Sequence, residues 1–373
     1  MTVVDLPVLV DATSLPPNRG GVARYIVGLL RGLAEDGVAV GVVVKPDDLS
    51  WLRSVAPSHR YAVAPAAVAR RPVRLLWEQV GLPLLALRAR ARVLHCPHYT
   101  FPLAAGRRSV VTLHDATFFS DPDAHGALKR RFFRLWTRLA RRHARATVTP
   151  SAATAAEIAR FVPHTAVPNV VAHLGVDPAV FHEPTSEAVR SFAAEHDLDP
   201  SEGWVAFLGT VEPRKQVAAL VAAHAELPDA PPLVVSGGLG WDPTARNLLE
   251  RAGNRPGARL RHLGFLPNDH LAAFLGGATV VAYPSTGEGF GLPVLEAMAC
   301  GAAVLTTRRL AIPEVGGDAV AYVEPTADAI AAGLASLLTD PALRSALATD
   351  GRQRAQTFTW RACARVHEEV YAA

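Results

Sequence analysis

The stretch that decides the fold is TVVAYPSTGEGFGLPVLEAMACG, residues 279–301. It begins with an apolar run typical of a buried strand, passes through a glycine-rich loop, and ends in a pattern typical of a short helix. Pro293 suits the start of that helix and Gly301 suits its end. This order predicts the strand-to-helix turn of a parallel α/β sheet.

The same loop predicts a ligand site. Gly287, Gly289 and Gly291 let the backbone approach a ligand closely, and the N-terminus of the following helix attracts phosphate. Glu296, which we expect in the first turn of the helix, and Glu288, which lies before it, can accept hydrogen bonds from sugar hydroxyls. The pattern favours a diphosphate with a sugar at each end, a nucleotide sugar, over a plain turn whose acids complement the helix dipole.

Outside this stretch, apolar runs alternate with helical patterns through both halves of the 373 residues. The predicted strands are 8–12, 38–44, 92–96, 109–114, 146–151, 204–209, 232–237, 260–265, 279–284, 302–307 and 320–324. A chain of this length exceeds the usual single core, and a segment rich in proline and acids interrupts the alternation near 175–202. We therefore predict an α/β protein with two Rossmann-like domains, whose parallel sheets face each other across a cleft.

The charge differs between the halves. Residues 1–175 hold 23 Lys and Arg against 11 Asp and Glu, a net +12, whereas 176–373 hold 15 against 23, a net −8. A basic half indicates an anionic partner. No apolar run is long enough to span a membrane, and the first residues read as a strand, not a signal peptide. Three widely spaced cysteines form no disulfide framework, so we expect a cytoplasmic protein, with peripheral attachment to the inner face of the membrane as an option.

The stretch PSTGEGFGLPVLEAMACGAAVLTT (284–307) resembles the signature of the family 4, group 1 glycosyltransferases, in which seven residues separate two glutamates. The resemblance extends over nearly the whole chain. Further matching stretches are GGVARY (20–25), LHCPHYTFPL (94–103), VTLHD (111–115), VTPSAATAAEI (148–158), GVDPAVF (175–181), FLGTVEPRKQ (207–216), LGFLPNDHLAAFLGGA (263–278), IPEVGGDA (312–319) and FTW (358–360).

The resemblance implies the GT-B fold and retention of anomeric configuration. It implies that residues 1–175 form the acceptor-binding domain, that 176–355 form the nucleotide-sugar-binding domain, and that 356–373 are a C-terminal helix that packs back on the first domain. Glu288 would contact the hydroxyls of the donor sugar, and Glu296 would contact the ribose.

The family pattern also implies the remaining donor contacts. Gly20 and Gly21 lie in the glycine loop after the first strand, and Gly264 lies at the strand end that would meet the base. In the signature loop, Gly289, Phe290, Gly291 and Leu292 would bind the donor through their backbone. Arg214 and Lys215 match the cations that neutralise the donor diphosphate. Thr210 stands where many members have an arginine, so Arg214 is the expected substitute.

On the acceptor side, the family places a histidine near the reacting centre, which matches His114. His98 and Tyr99 are expected to line the acceptor pocket. The resemblance implies that no metal is needed, so Asp121–Asp123, a D-x-D pattern that holds a metal in another glycosyltransferase fold, reads as a turn. His95 and His98 have poor spacing for a closed metal site. No cofactor is expected beyond the donor itself.

The resemblance implies a metal-independent hexosyltransferase. GTVEPRKQ (209–216) and VTLHDATFF (111–119) resemble segments of mannosyl- and rhamnosyltransferases, so mannose or a rhamnose-like sugar is the expected hexose. The acceptor is left open among a glycan, a lipid-linked sugar and a small molecule. The leaving diphosphate would accept the acceptor's proton during same-face substitution, so Glu288→Ala should lower turnover severely. The alternatives are a GT-B hydrolase or phosphorylase, and a non-catalytic protein that binds an anionic polymer.

The basic segment 126–146 has Leu128, Phe132, Leu135, Trp136 and Leu139 at helical spacing among arginines. Such a helix either lies on an anionic bilayer or packs its apolar stripe into the core with solvated arginines. Nucleic acid is disfavoured as a partner, because the sequence contains no recognised nucleic-acid module.

Overall fold

The computed structural model describes residues 7–16, 20–121, 126–163 and 165–373. They form two compact units, which are described separately. The N-terminal unit extends to Gly175 and takes in Thr359–Ala373, and the C-terminal unit is Val176–Phe358. The chain thus returns to its first unit at Thr359. The predicted turn at Asp121–Asp123 lies outside the described residues from position 122 onward.

The N-terminal unit contains a parallel sheet of seven strands in the order β3-β2-β1-β4-β5-β6-β7. The strands are β1 Val8–Asp11, β2 Gly41–Val44, β3 Arg60–Val63, β4 Val93–Cys96, β5 Ser109–Thr112, β6 Ala146–Thr149 and β7 Asn169–Val171. Its helices are α1 Gly21–Glu35, α2 Leu49–Val55, α3 Arg71–Arg88, α4 Thr117–Ser120, α5 Ala127–His143, α6 Ala152–Phe161 and the last helix of the chain, α15 Trp360–Ala372.

The C-terminal unit contains a parallel sheet of six strands in the order β10-β9-β8-β11-β12-β13. The strands are β8 Val205–Leu208, β9 Leu233–Ser236, β10 Leu260–Gly264, β11 Val280–Tyr283, β12 Val304–Thr306 and β13 Ala321–Tyr322. Its helices are α7 Ser186–Glu195, α8 Val217–Ala225, α9 Pro243–Ala252, α10 Asn268–Gly276, α11 Leu292–Ala299, α12 Ile312–Gly316, α13 Ala327–Thr339 and α14 Pro341–Ala355. The predicted α/β class with parallel sheets is confirmed.

The strand order of the two sheets indicates where each could bind a ligand. The strand order reverses between β1 and β4 in the N-terminal unit, where Leu9 lies beside Leu94, and between β8 and β11 in the C-terminal unit, where Val205 lies beside Val280. Loops diverge at such a reversal and leave a crevice beyond the carboxyl ends of the strands. The loops that follow β8 and β11 are the ones that carry the predicted cations and Glu288.

Helix α15 docks on α1 through glycines. A Cβ atom added to Gly28 would lie 2.1 Å from Trp360 Cδ2, and one added to Gly32 would lie 2.2 Å from the Trp360 carbonyl oxygen. The two helices therefore approach more closely than any residue with a side chain allows at these positions. This contact is one of the reasons that the last residues belong to the N-terminal unit.

A chain of buried hydrogen bonds fixes the same helix to the sheet. Tyr371 bonds to Nδ1 of His95 at 2.7 Å, and Nε2 of His95 bonds to Thr112 at 2.8 Å. Thr112 bonds to Tyr25 at 2.8 Å, and Tyr25 to Nε2 of His367 at 2.8 Å. The His367 Nδ1–H then donates to the carbonyl one turn earlier in α15, at 2.8 Å. One donor order satisfies every link with both imidazoles neutral.

The apolar stripe predicted on α5 is divided in the structure. Leu128 and Leu135 are 85% and 53% exposed, whereas Trp136 and Leu139 pack against the core. The expectation that the arginines are all solvated is wrong, because Arg141 is buried and donates to Thr147 and to the Val167 carbonyl. At least one basic side chain of α5 therefore stabilises the fold and is not available to a partner. Among the residues that the structure describes, no helix is long and apolar enough to cross a membrane.

Candidate active site

Glu288 lies in the loop after β11, and its carboxylate is surrounded by donors. Its Oε1 atom accepts hydrogen bonds from the Tyr283 hydroxyl at 2.7 Å and from the Ser285 hydroxyl at 3.0 Å, and it pairs with Arg214. Burial raises the pKa of Glu288, but Arg214 and Lys215 outweigh it and hold the pKa below its usual value. The carboxylate is therefore ionised although its side chain is only 11% exposed.

Arg214 joins the loops that follow β8 and β11. Its Nε atom donates to Glu212 at 2.8 Å, and its Nη1 atom donates to the Gly287 carbonyl at 2.8 Å. In return, its own carbonyl accepts from the Thr286 amide at 2.7 Å. The guanidinium thus positions Glu288 and the glycine loop. In this structure its contacts are with protein groups, so we assign Arg214 a positioning role.

Lys215 is a buried cation at the same crevice. It is 7% exposed, and its ammonium lies 5.8 Å from the centre of the Tyr283 ring. A Cβ atom added to Gly209, the residue after β8, would lie 2.8 Å from Nζ. Burial lowers the pKa of Lys215, while the Glu288 carboxylate raises it. A buried ammonium beside bare backbone is suited to binding an anion.

Three neighbouring strands end in glycines with left-handed backbone. Gly209 follows β8 with φ +147°, Gly237 follows β9 with φ +130°, and Gly264 ends β10 with φ +68°. The Gly237 amide donates to the Gly264 carbonyl at 2.7 Å, and a Cβ atom added to Gly237 would lie 2.3 Å from the Gly209 carbonyl oxygen. Of these, only Gly264 was singled out as a site residue from the sequence, although the predicted strands 204–209 and 232–237 also end in glycine.

The helix of the signature loop begins at Leu292, with Gly291 as its N-cap at φ +107°. Glu296 is the fifth residue of α11, so the expectation that it lies in the first turn is wrong. It is 2% exposed and close enough to Lys215 to raise the pKa of the ammonium. Phe290 is 4% exposed and packs against Phe358, with ring centroids 5.8 Å apart, so its side chain supports the loop.

An exposed aromatic side chain follows the last of the three glycines. Phe265 is 68% exposed, and its ring lies 3.1 Å from the position of a Cβ atom on Gly238. Trp241, after the β9 loop, is 47% exposed. Aromatic faces at the strand ends suit stacking with a planar base.

In the N-terminal unit, the structure brings the predicted histidines together at the ends of β4 and β5. The rings of His98 and His114 have centroids 5.9 Å apart. Nε2 of His114 donates to the Pro97 carbonyl at 2.7 Å, and burial lowers its pKa. Burial also lowers the pKa of His98, to about 3, so both rings are neutral. Tyr99 is 2% exposed, and its hydroxyl accepts from the Asp115 amide at 2.9 Å, so its side chain offers little surface to an acceptor.

The glycine pair lies at the start of α1. Gly20 is its N-cap, and a Cβ atom added to Gly21 would meet nothing within 4 Å. One turn later, Tyr25 packs edge-on against His114 with ring centroids 5.0 Å apart. The N-terminal unit therefore assembles the glycine pair, His98 and His114 around the ends of neighbouring strands. The C-terminal unit assembles Glu288, Glu296 and the two cations.

The sequence matches two family profiles. Residues 19–180 match Glycosyltransferase Family 4, and residues 190–354 match the group 1 glycosyl transferases. The chain belongs to this family of glycosyltransferases, as the sequence predicts, and its two parallel sheets are those of the GT-B fold.

Among curated proteins, the chain is similar to the O-antigen chain mannosyltransferase B of Escherichia coli. The two are 31% identical over 276 residues, 73% of this chain and 71% of the relative. It is also similar to the D-inositol 3-phosphate glycosyltransferase of Xylanimonas cellulosilytica, 35% identical over 208 residues, which is 53% of this chain but only 49% of that relative.

Solved structures agree in fold. The sucrose-phosphate synthase of Thermosynechococcus elongatus matches with a TM-score of 0.77 at 21% identity, over 98% of both chains. Anabaena HepE, solved in complex with UDP-glucose, matches with a TM-score of 0.77 at 17% identity, over 99% of this chain and 100% of that chain. At these identities the likeness establishes the fold.

Proposed function

We propose that the chain transfers mannose from a nucleoside diphosphate mannose to a glycan acceptor, with retention of anomeric configuration and without a metal. The observation that carries the proposal is the ionised Glu288 carboxylate, held by Arg214 beside the buried Lys215 at the crevice of the C-terminal sheet. The similarity to a mannosyltransferase over 73% of the chain supports the choice of sugar.

The geometry supports a part for each group in the proposed reaction. Lys215 stabilises the negative charge that grows on the leaving diphosphate, and the strand-end glycines admit the phosphates close to backbone. Glu288 orients the sugar through its hydroxyls, and the leaving phosphate takes the acceptor's proton. The Nε2–H of neutral His114 already donates to the Pro97 carbonyl, so its Nδ1 can only accept a hydrogen bond, and the ring does not supply a charge. Positioning and charge stabilisation therefore do most of the work.

The first test is the stabilisation of the protein by GDP, UDP, dTDP and ADP. A ligand at about 100 times its dissociation constant adds roughly 2.7 kcal/mol to the free energy of unfolding, which a thermal shift detects. We expect one diphosphate to stabilise the protein and Lys215→Ala to weaken that effect. Arg251→Ala, which removes an exposed cation of the same unit, is the matched control and should keep it.

The second test identifies the reaction by its products. With GDP-mannose and a mannose-containing oligosaccharide, we expect an elongated glycan whose new linkage has the configuration of the donor, at a rate that EDTA does not change. Free mannose formed equally with and without acceptor would instead establish a hydrolase. Mannose 1-phosphate formed only with added phosphate would establish a phosphorylase.

A further inference from the structure

Two histidines and a glutamate meet in the C-terminal unit, where α7 packs against α10. Glu195 is the last residue of α7 and His196 is its C-cap, whereas His270 lies in the first turn of α10. One possible ligand atom from each side chain lies within 4.8 Å of the other two, and this is the one such group of three found among the described residues. None of the three belongs to the loops after β8 and β11 that form the candidate active site.

The two imidazoles have the separation of nitrogens that share one ion. Nε2 of His196 lies 3.4 Å from Nδ1 of His270. Two nitrogens bound to a tetrahedral zinc ion, each at about 2.0–2.1 Å, are about 3.3 Å apart. A good hydrogen bond between nitrogen and its acceptor is shorter than the distance seen here. The pair therefore has the spacing of two metal ligands without a change in the positions of the helices.

A buried aromatic ring positions both imidazoles. Phe192, one turn before His196 in α7, is 2% exposed. Its ring centroid lies 4.4 Å from that of His196 and 5.8 Å from that of His270, which it meets edge-on. Packing against a fixed ring restricts the rotation of both imidazoles, so they lose less conformational freedom when they bind an ion.

Glu195 supplies a negative charge to the same place. Its carboxylate lies 3.7 Å from Nε2 of His270, and its side chain is 59% exposed, so it can rotate to meet an ion between the two rings. Two imidazoles and one carboxylate leave a fourth tetrahedral position for water. Imidazole ligands favour Zn²⁺, Cu²⁺ and Ni²⁺, whereas Mg²⁺ and Ca²⁺ require sites made of oxygen atoms.

We propose that Glu195, His196 and His270 bind a zinc ion that links the end of α7 to the start of α10. The two histidines are 74 positions apart in the chain, so the ion cross-links two helices of the C-terminal unit. An ion that binds only the folded chain stabilises it. Because the ligands lie outside the loops of the candidate active site, EDTA should remove this ion without changing the rate of the proposed sugar transfer.

The test is calorimetric titration of the full chain, made without a polyhistidine tag and freed of metal with EDTA, with ZnCl₂ and separately with MgCl₂. We expect one zinc ion to bind per chain and magnesium not to bind. Loss of a group that only orients a metal ligand weakens binding by about 10- to 100-fold, so loss of a ligand in His270→Gln should weaken it by at least about 100-fold. Glu195→Gln, which removes the charge at an exposed position, should weaken it by about 10-fold.

The matched control is His182→Gln, which removes an exposed histidine of the same unit and should bind zinc like the wild type. In hydrogen exchange, zinc should raise the protection of α7 and α10 and leave α13 unchanged. Absence of zinc binding, equal binding by Glu195→Gln, His270→Gln and the wild type, or unchanged protection of α7 and α10 would overturn the proposal. Circular dichroism checks that the variants fold, and Glu195→Gln carries the test if His270→Gln does not.

Discussion

Each unit buries a cluster of polar side chains, and the two clusters differ in charge. In the C-terminal unit, Glu288 and Lys215 are buried as ions and share a crevice with Arg214. In the N-terminal unit, His95 and His367 are buried as neutral rings within a chain of hydrogen bonds. Buried ions contribute little net stability, whereas a satisfied neutral network rigidifies a fold. The difference indicates that the first set serves a ligand and that the second set holds α15 in place.

Substitution of Glu288 is the most direct test of the proposal that the buried ions serve a ligand. We expect Glu288→Ala to lower kcat by about 10³-fold, because the donor sugar loses its carboxylate and the two cations lose their counter-charge. Glu288→Gln, which keeps the shape and removes the charge, should lie close to the alanine variant. Steady-state transfer from the donor that the nucleotide test selects provides the measurement.

The control for this prediction comes from the other unit. Tyr371→Phe removes one hydroxyl of the neutral chain, and we expect it to lower thermal stability while turnover stays close to wild type. If Tyr371→Phe lowered turnover as much as Glu288→Ala did, the division between ligand site and structural network would be wrong.

The sequence predicts the elements around Glu288 well because they lie in short, local patterns. A strand, a glycine loop and a helix start place Glu288 beside Gly291 with no long-range information. The cations Arg214 and Lys215 lie in the loop that follows β8, in a short 3₁₀ segment. The electrostatic contacts of these cations with Glu288 were not predicted. They depend on β8 and β11 being neighbours in the sheet, which the sequence order does not show.

The N-terminal unit was less predictable, since its polar chain joins residues that are far apart in sequence. His95 and Tyr371 are 276 positions apart, and neither has a local signal that distinguishes it from a surface residue. The edge strands Arg60–Val63 and Asn169–Val171 were also missed. They are short and only partly buried, so they lack the apolar run by which the central strands were found.

Gly28 gives the largest expected change in stability. Gly28→Ala should destabilise the N-terminal unit by about 3 kcal/mol, because the added methyl group overlaps the Trp360 ring and forces α1 and α15 apart. Gly21→Ala, in the same helix but in open space, should be neutral or stabilising by up to about 1 kcal/mol, since alanine favours helix. Urea unfolding followed by circular dichroism measures both, and equal effects would show that the close approach is not rigid.

The stability of α15 should depend on pH, because the neutral cluster of the N-terminal unit contains buried histidines. Burial lowers the pKa of His367 to about 4, against about 6.5 in an unfolded chain. A depressed pKa means that the stabilisation is complete above pH 6.5 and is lost as the pH falls toward 4; at pH 5 the loss is about 2 kcal/mol. Protonation also gives Nε2 a hydrogen where it now accepts from Tyr25. We therefore expect acid to loosen α15.

Hydrogen exchange of peptides from α15 and from α11 measures this effect at pH 7 and pH 5, after correction for the intrinsic rates. Protection of α15 should fall with pH, whereas protection of α11, which carries no histidine, should change less. His367→Gln should flatten the response of α15. A response that is unchanged in His367→Gln would assign the acid sensitivity to His95 or His98.

The smallest effect is expected at Thr359, where the chain re-enters the N-terminal unit. Its hydroxyl caps α15 by accepting from the Ala362 amide at 3.1 Å, and Thr326 caps α13 in the same way at 3.4 Å. Each threonine-to-alanine change should cost about 1 kcal/mol. Because α15 joins the N-terminal sheet, Thr359→Ala should raise hydrogen exchange in α15 and leave α13 protected, and Thr326→Ala should do the reverse. Loss of protection in both helices from either change would mean that the two units unfold together, and that their different polar interiors do not make them independent in stability.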